Sequence, residues 1–96
     1  MLVLVTYDVN TEGTEGKRRL RRVARVCENH GQRVQNSVFE CSVDQAQFVS
    51  LRAKLLGEID AGKDSMRFYF LGNDWRNRVD HVGVKASYDP DSPMII

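Results

Sequence analysis

Residues 2–7, Leu-Val-Leu-Val-Thr-Tyr, form an unbroken run of β-branched, leucine and aromatic side chains, and no other stretch constrains the fold so strongly. The run is too short for a helix. Without polar alternation it reads as a strand lying centrally, with other elements packed against it. Asp8 closes it, and the next eight residues, Val-Asn-Thr-Glu-Gly-Thr-Glu-Gly, carry turn chemistry over a length suited to a ligand-contacting loop.

From Thr14 to about Asn29 the pattern is helical: Leu20, Val23, Ala24 and Cys27 follow the spacing of a buried stripe. His30-Gly31 provides the stop, with Gly31 suited to a left-handed residue after the last turn. Residues 33–41 are strand-like, but Asn36-Ser37 interrupts them, which predicts either two short strands or one strand with a sharp bulge. Asp44 and Gln47 have the spacing of a capping box, opening a second helix that runs to about Ile59. Residues 65–72 alternate as a strand, with Met66, Phe68 and Phe70 on one face and Arg67, Tyr69 and Leu71 on the other. Residues 78–85 are expected to form a short edge strand, followed by a Pro-containing tail that ends in Met94-Ile95-Ile96.

This order predicts an α+β, ferredoxin-like βαββαβ sandwich: an antiparallel sheet with two helices on one face, plus a C-terminal strand extension. Residues 1–72 would be the core and 73–96 the extension, because 96 residues make one domain with no room for a second core. The apolar tail exceeds what a monomer of this size covers easily. A homodimer is therefore expected, with the tail added as a strand to the partner's sheet edge.

The formal charge of +1 hides an asymmetry, since Lys17 to Arg25 holds six of the fourteen basic residues and no acid. Cys27 and Cys41 lack CxxC spacing and sit among apolar neighbours, so buried free thiols are expected. The N-terminal run has no basic flank or cleavage site and is too short to cross a bilayer. A cytoplasmic location with no membrane association follows.

Motifs for covalent catalysis or nucleotide binding do not stand out, and the two histidines are isolated. His30 suits the carbonyls at a helix end, and His81 has no evident partner. Asp8 is the candidate for chemistry, because a carboxylate at the end of a central strand faces a loop. Mg2+ takes one or two carboxylates together with waters and phosphate oxygens, so two copies of Asp8 across a two-fold axis would make a site that one copy does not. The alternative is that Asp8 only ends the strand. On the first helix, Arg18, Arg22 and Arg25 form one line with Arg21 beside it, a surface matched to phosphate. It signals backbone binding and not base reading. Arg33 and Phe39 could add a cation and a stacking ring, though Phe39 also reads as sheet packing.

Taken together, Val-Thr-Tyr-Asp-Val at residues 5–9, the arginine-rich helix, Gly-Gln-Arg-Val-Gln-Asn-Ser-Val-Phe-Glu-Cys at 31–41 and Asp-Ser-Met-Arg-Phe-Tyr-Phe-Leu at 64–71 form a spaced series. It strongly resembles the small CRISPR adaptation family of the second CRISPR-associated protein, also called the CRISPR-associated endoribonuclease. The resemblance covers residues 1–72, and Arg-Val-Gln-Asn-Ser-Val-Phe-Glu is its most specific part. It implies a ferredoxin-like homodimer that bridges CRISPR integrase dimers in spacer acquisition and holds duplex DNA. It also implies, for some members, a Mg2+-dependent nuclease acting on single-stranded RNA or double-stranded DNA, with Asp8 of each subunit holding the metal. Tyr7, Arg18 or Arg19, Arg33, Ser37 and Phe39 match other positions implicated in some members.

Two function classes stand at this point. One is a phosphodiester hydrolase built on Asp8, for which no general base is evident. The other is a non-catalytic DNA-binding scaffold that needs the basic helix and the tail but not Asp8. A metal-handling ferredoxin-like domain is disfavoured, since neither cysteine belongs to a loop thiol pair.

Overall fold

The computed structural model describes residues 1–83. Its elements run β1 (Leu2–Asp8), α1 (Gly13–Glu28), β2 (Gly31–Gln35), β3 (Val38–Ser42), α2 (Gln45–Glu58) and β4 (Ser65–Gly72), with a short 3-10 turn at Trp75–Asn77. The four strands form one antiparallel sheet in the order β2-β3-β1-β4, the arrangement of a ferredoxin-like α+β sandwich. β1 is central, as its apolar run requires.

The alternation along β1 decides the two faces. Val3, Val5 and Tyr7 point into the core with Val23, Cys27, Leu51 and Leu55. Leu51 and Leu55 have no exposed surface, and each such leucine contributes about 1.5–3 kcal/mol relative to exposure. Leu4, Thr6 and Asp8 fall on the opposite, helix-free face by the same alternation. α2 begins with the capping box read from the sequence: Asp44 accepts from the Gln47 amide at 2.7 Å, and the Asp44 amide donates to the Gln47 side chain at 2.8 Å.

Three expectations need refinement. Asn36-Ser37 is a two-residue connection between separate strands, so the two-strand alternative holds and the one-strand alternative does not; the register shift lies earlier, between Arg33 and Gln35. Gly31 is not left-handed. It begins β2, where a Cβ would collide with the Glu40 carbonyl and Cys41. Close approach of two strands, and not backbone freedom, requires glycine there.

Residues 78–83 are not a strand. They lie over the helix-free face, where Arg78 to Val82 and the sheet residues Leu4, Val38 and Glu40 line a cavity of about 820 Å³. The remainder of the expected edge strand, and the tail expected to add to a partner, lie outside the described residues. Among the described residues no helix is long and apolar enough to cross a membrane.

Candidate nucleic-acid and metal site

Asp8 is exposed at the last position of β1, opposite Ser65 of β4. It stands between two depressions. One, of about 590 Å³, is walled by the loop after β1 and the loop before β4. The other, of about 330 Å³ on the helix-free face, brings Asp8 together with Ser37, Ser65, Arg67 and Tyr69. The sequence points to Asp8 and Ser37 but not to Ser65 or Arg67. Strand alternation is the only local signal these two carry, and the pairing of β4 with β1 brings them to Asp8 (Thr6 faces Arg67). The Arg67 guanidinium donates to the Tyr69 hydroxyl at 3.3 Å.

Among the described residues no group of three or more metal-ligating side chains exists. Beside Asp8 the depression carries the Ser37, Ser65 and Tyr69 hydroxyls, oxygen groups that suit a hard cation such as Mg2+, together with Met66 and the Arg67 guanidinium, and one chain supplies one carboxylate. Mg2+ takes one or two carboxylates with waters and phosphate oxygens, so Asp8 fits as one ligand of such a site.

The two loops beside Asp8 are fastened together. Asp64 has no exposed side-chain surface and accepts from Arg19 Nε at 2.9 Å, the Asn10 amide at 2.9 Å and the Asp60 amide at 2.8 Å. Burial by itself would raise the Asp64 carboxyl, but the Arg19 hydrogen bond and the two backbone amides override it, holding the group below its ordinary value. Gly16, in the first turn of α1, packs against the Asn10 carbonyl with no space for a Cβ.

The arginines of α1 divide into distinct roles. Arg19 is turned inward to Asp64 and its side chain is only 11% exposed. Arg22 spans to α2, its Nε 2.7 Å from Glu58. Arg18 makes an exposed pair with Glu15 at 3.3 Å. Arg21 and Arg25 are exposed and have no acidic partner among the described residues. The outward ridge is therefore Arg18, Arg21 and Arg25, with Arg22 at its flank and Arg19 out of reach.

In the hairpin region, Phe39 is fully buried and stacks on Tyr7. Arg33 lies over the Phe39 ring at 5.0 Å and pairs with Glu28 at 3.4 Å. Ser37 accepts from the Tyr7 amide through its carbonyl at 3.1 Å, and the Tyr7 hydroxyl is 3.4 Å from the Asn36 carbonyl. Burial, reinforced by the Cys27 thiol, raises the Tyr7 phenol, while Arg33 acts in the opposite direction. Tyr7, Ser37 and Phe39 thus brace the strand end that carries Asp8.

The sequence profile of the family described as CRISPR associated protein Cas2 matches residues 1–79. The chain is 62% identical over 96 residues to the CRISPR-associated endoribonuclease Cas2 of Chlorobaculum tepidum, covering all of both chains. It is 55% identical over 95 residues to the CRISPR-associated endonuclease Cas2 of Halalkalibacterium halodurans, covering 99% of each. The crystal structure of Streptococcus pyogenes Cas2 at pH 6.5 superposes with a TM-score of 0.76 at 58% identity, covering 86% of this chain and all of that one. With a profile match over most of its length and relatives of this identity end to end, the chain belongs to the Cas2 family of CRISPR-associated proteins.

Proposed function

We propose that the chain is a dimeric, cytoplasmic nucleic-acid-binding subunit of CRISPR adaptation, holding duplex DNA beside the CRISPR integrase during spacer integration. The observation that carries this reading is the outward ridge of Arg18, Arg21 and Arg25. Its last two guanidiniums are exposed with no acidic partner among the described residues. Such guanidiniums have no ion pair to give up before they meet phosphate oxygens, and each phosphate they neutralise releases counterions. The free, buried thiols Cys27 and Cys41 suit a reducing compartment. The test is duplex DNA binding across a salt series. Replacing Arg18, Arg21 and Arg25 by Ala should lower the slope of log affinity against log salt by about 0.9 for each phosphate no longer neutralised. An unchanged slope would remove the ridge from the interface.

A second reading, Mg2+-dependent cleavage of single-stranded RNA or double-stranded DNA, is favoured by the hydroxyls beside Asp8 in its depression and by the endoribonuclease and endonuclease names of the relatives. Asp8 from each of two copies would hold the metal, which supplies charge neutralisation at phosphate and an acidified water. Arg67, which lines the same depression, would meet a phosphate oxygen. The brace of Tyr7 and Phe39 would keep the carboxylate in place.

A further inference from the structure

Asp64 is a carboxylate without solvent contact, 45 residues away in sequence from the guanidinium that neutralises it. Its bonds all converge on the surroundings of Asp8. One oxygen takes the Asn10 amide, two residues beyond Asp8, and the other takes the Asp60 amide in the loop before β4. Arg19 adds a bond of its own, from Nη2 to the Asn10 carbonyl at 3.4 Å, so Asn10 is held at both its N–H and its C=O. Asn10 in turn fixes the rest of its loop, its side-chain oxygen accepting from the Glu12 amide at 2.9 Å. Asp64 itself precedes Ser65, the residue paired with Asp8.

A buried ion pair is a poor device for stability alone, because desolvation offsets much of the attraction and apolar side chains of similar volume often do as well. What it fixes well is geometry. Here the geometry is the separation of two irregular loops that wall the 590 Å³ cavity containing Asp8.

We propose that Arg19 and Asp64 are positioning residues for Asp8, the buried pair holding loop 9–12 and loop 59–64 at a set distance and so fixing the strand end that carries the carboxylate. This rests on the reading of Asp8 as a cation ligand. It also gives Arg19 a task different from that of its neighbours on the ridge: Arg19 acts on Asp8 through Asn10 and Asp64, whereas Arg21 and Arg25 act on phosphate.

The test uses the full chain carrying Asp64→Asn, which keeps the side-chain shape and an accepting oxygen but removes the charge that meets Arg19. Site-resolved amide hydrogen exchange is read alongside Mg2+ affinity, measured calorimetrically with MgCl2. Exchange at Asn10 and Asp60 is expected to quicken by about tenfold relative to Leu51 and Leu55, the scale of losing a charged hydrogen bond. Mg2+ affinity is expected to fall by about tenfold, as when a supporting partner of a ligand is removed. Equal acceleration at Leu51 and Leu55 would make the pair a global stability element and overturn the proposal. So would loosened loops with unaltered Mg2+ affinity. If Asp8→Asn leaves Mg2+ affinity unchanged with the pair intact, the cation reading fails and the proposal fails with it, and that failure is separable because the loops then remain protected. Should Asp64→Asn not fold, Arg19→Lys retains the charge, loses the fork, and is read by the same two measurements.

Discussion

The Tyr7 ring lies 19° from parallel with the Phe39 ring at a centroid separation of 6.3 Å, and the Arg33 guanidinium sits over Phe39 at 5.0 Å. A ring with no exposed surface has no face left for a nucleobase. Phe39→Ala is therefore expected to cost about 3–5 kcal/mol of folding stability, measurable by urea denaturation. Full native stability in this variant would reopen a stacking role for Phe39.

Asp8→Asn is expected to behave differently. Asp8 is exposed, so stability should change by no more than about 0.5 kcal/mol. Mg2+-dependent cleavage by purified protein should disappear. If two carboxylates face each other across a two-fold axis, the neutral variant should also dimerise more tightly in EDTA, since like charges at close range repel. Sedimentation equilibrium with and without the substitution checks this, and equal dimer affinities would place the two side chains apart.

Glu40 lies on the helix-free face of β3 with 8% of its surface exposed. Burial raises its carboxyl above the ordinary 4.5, while His81 acts to lower it. A raised carboxyl penalises the folded state once the unfolded chain ionises, so this penalty is absent below about pH 4.5 and grows as pH rises toward the folded value. Glu40→Gln should therefore raise the melting temperature at pH 7, with the gain shrinking to nothing in the acid range. Asp64 runs the other way: its lowered carboxyl gives stability that is present above the unfolded value of 3.8 and lost as pH falls below it. A Glu40→Gln gain that persists unchanged at acid pH would remove ionisation as its cause.

Burial pushes both thiols, Cys27 and Cys41, up to about 12, with each further raised by a neighbouring acidic group. The thiolate is the reactive form. Iodoacetamide at pH 8 should leave both unmodified in the native protein and label both in urea. Rapid native labelling of either would contradict the packing of α1 against the sheet.

Much of this architecture was legible because it is local. The apolar run of β1, the stripe of α1, the capping box at Asp44 and the alternation of β4 are each written within one helix or one strand. The ridge was only half legible. No acid lies between Lys17 and Arg25, which suggested an unopposed cationic face. Yet Glu58 and Asp64, scattered acids in the sequence, arrive from α2 and the loop after it to engage Arg22 and Arg19. Partners separated by 36 and 45 residues leave no periodic trace, so helical phase alone did not divide inward from outward arginines. Arg67 was hidden for the same reason: only the register of β4 on β1 brings it to Asp8.

The strand order β2-β3-β1-β4 also governs how the chain reaches this state. β1 is an inner strand and neither of its sheet neighbours follows it directly in sequence, so it waits through α1 and β2 before β3 arrives and through α2 as well before β4. Ring closure over such spans costs entropy before any ladder bond returns it, and folding is expected to be slower than in a helical bundle of equal size. Nascent chains halted before β4 would expose the apolar edge of β1, leaving a sticky intermediate until β4 pairs with it.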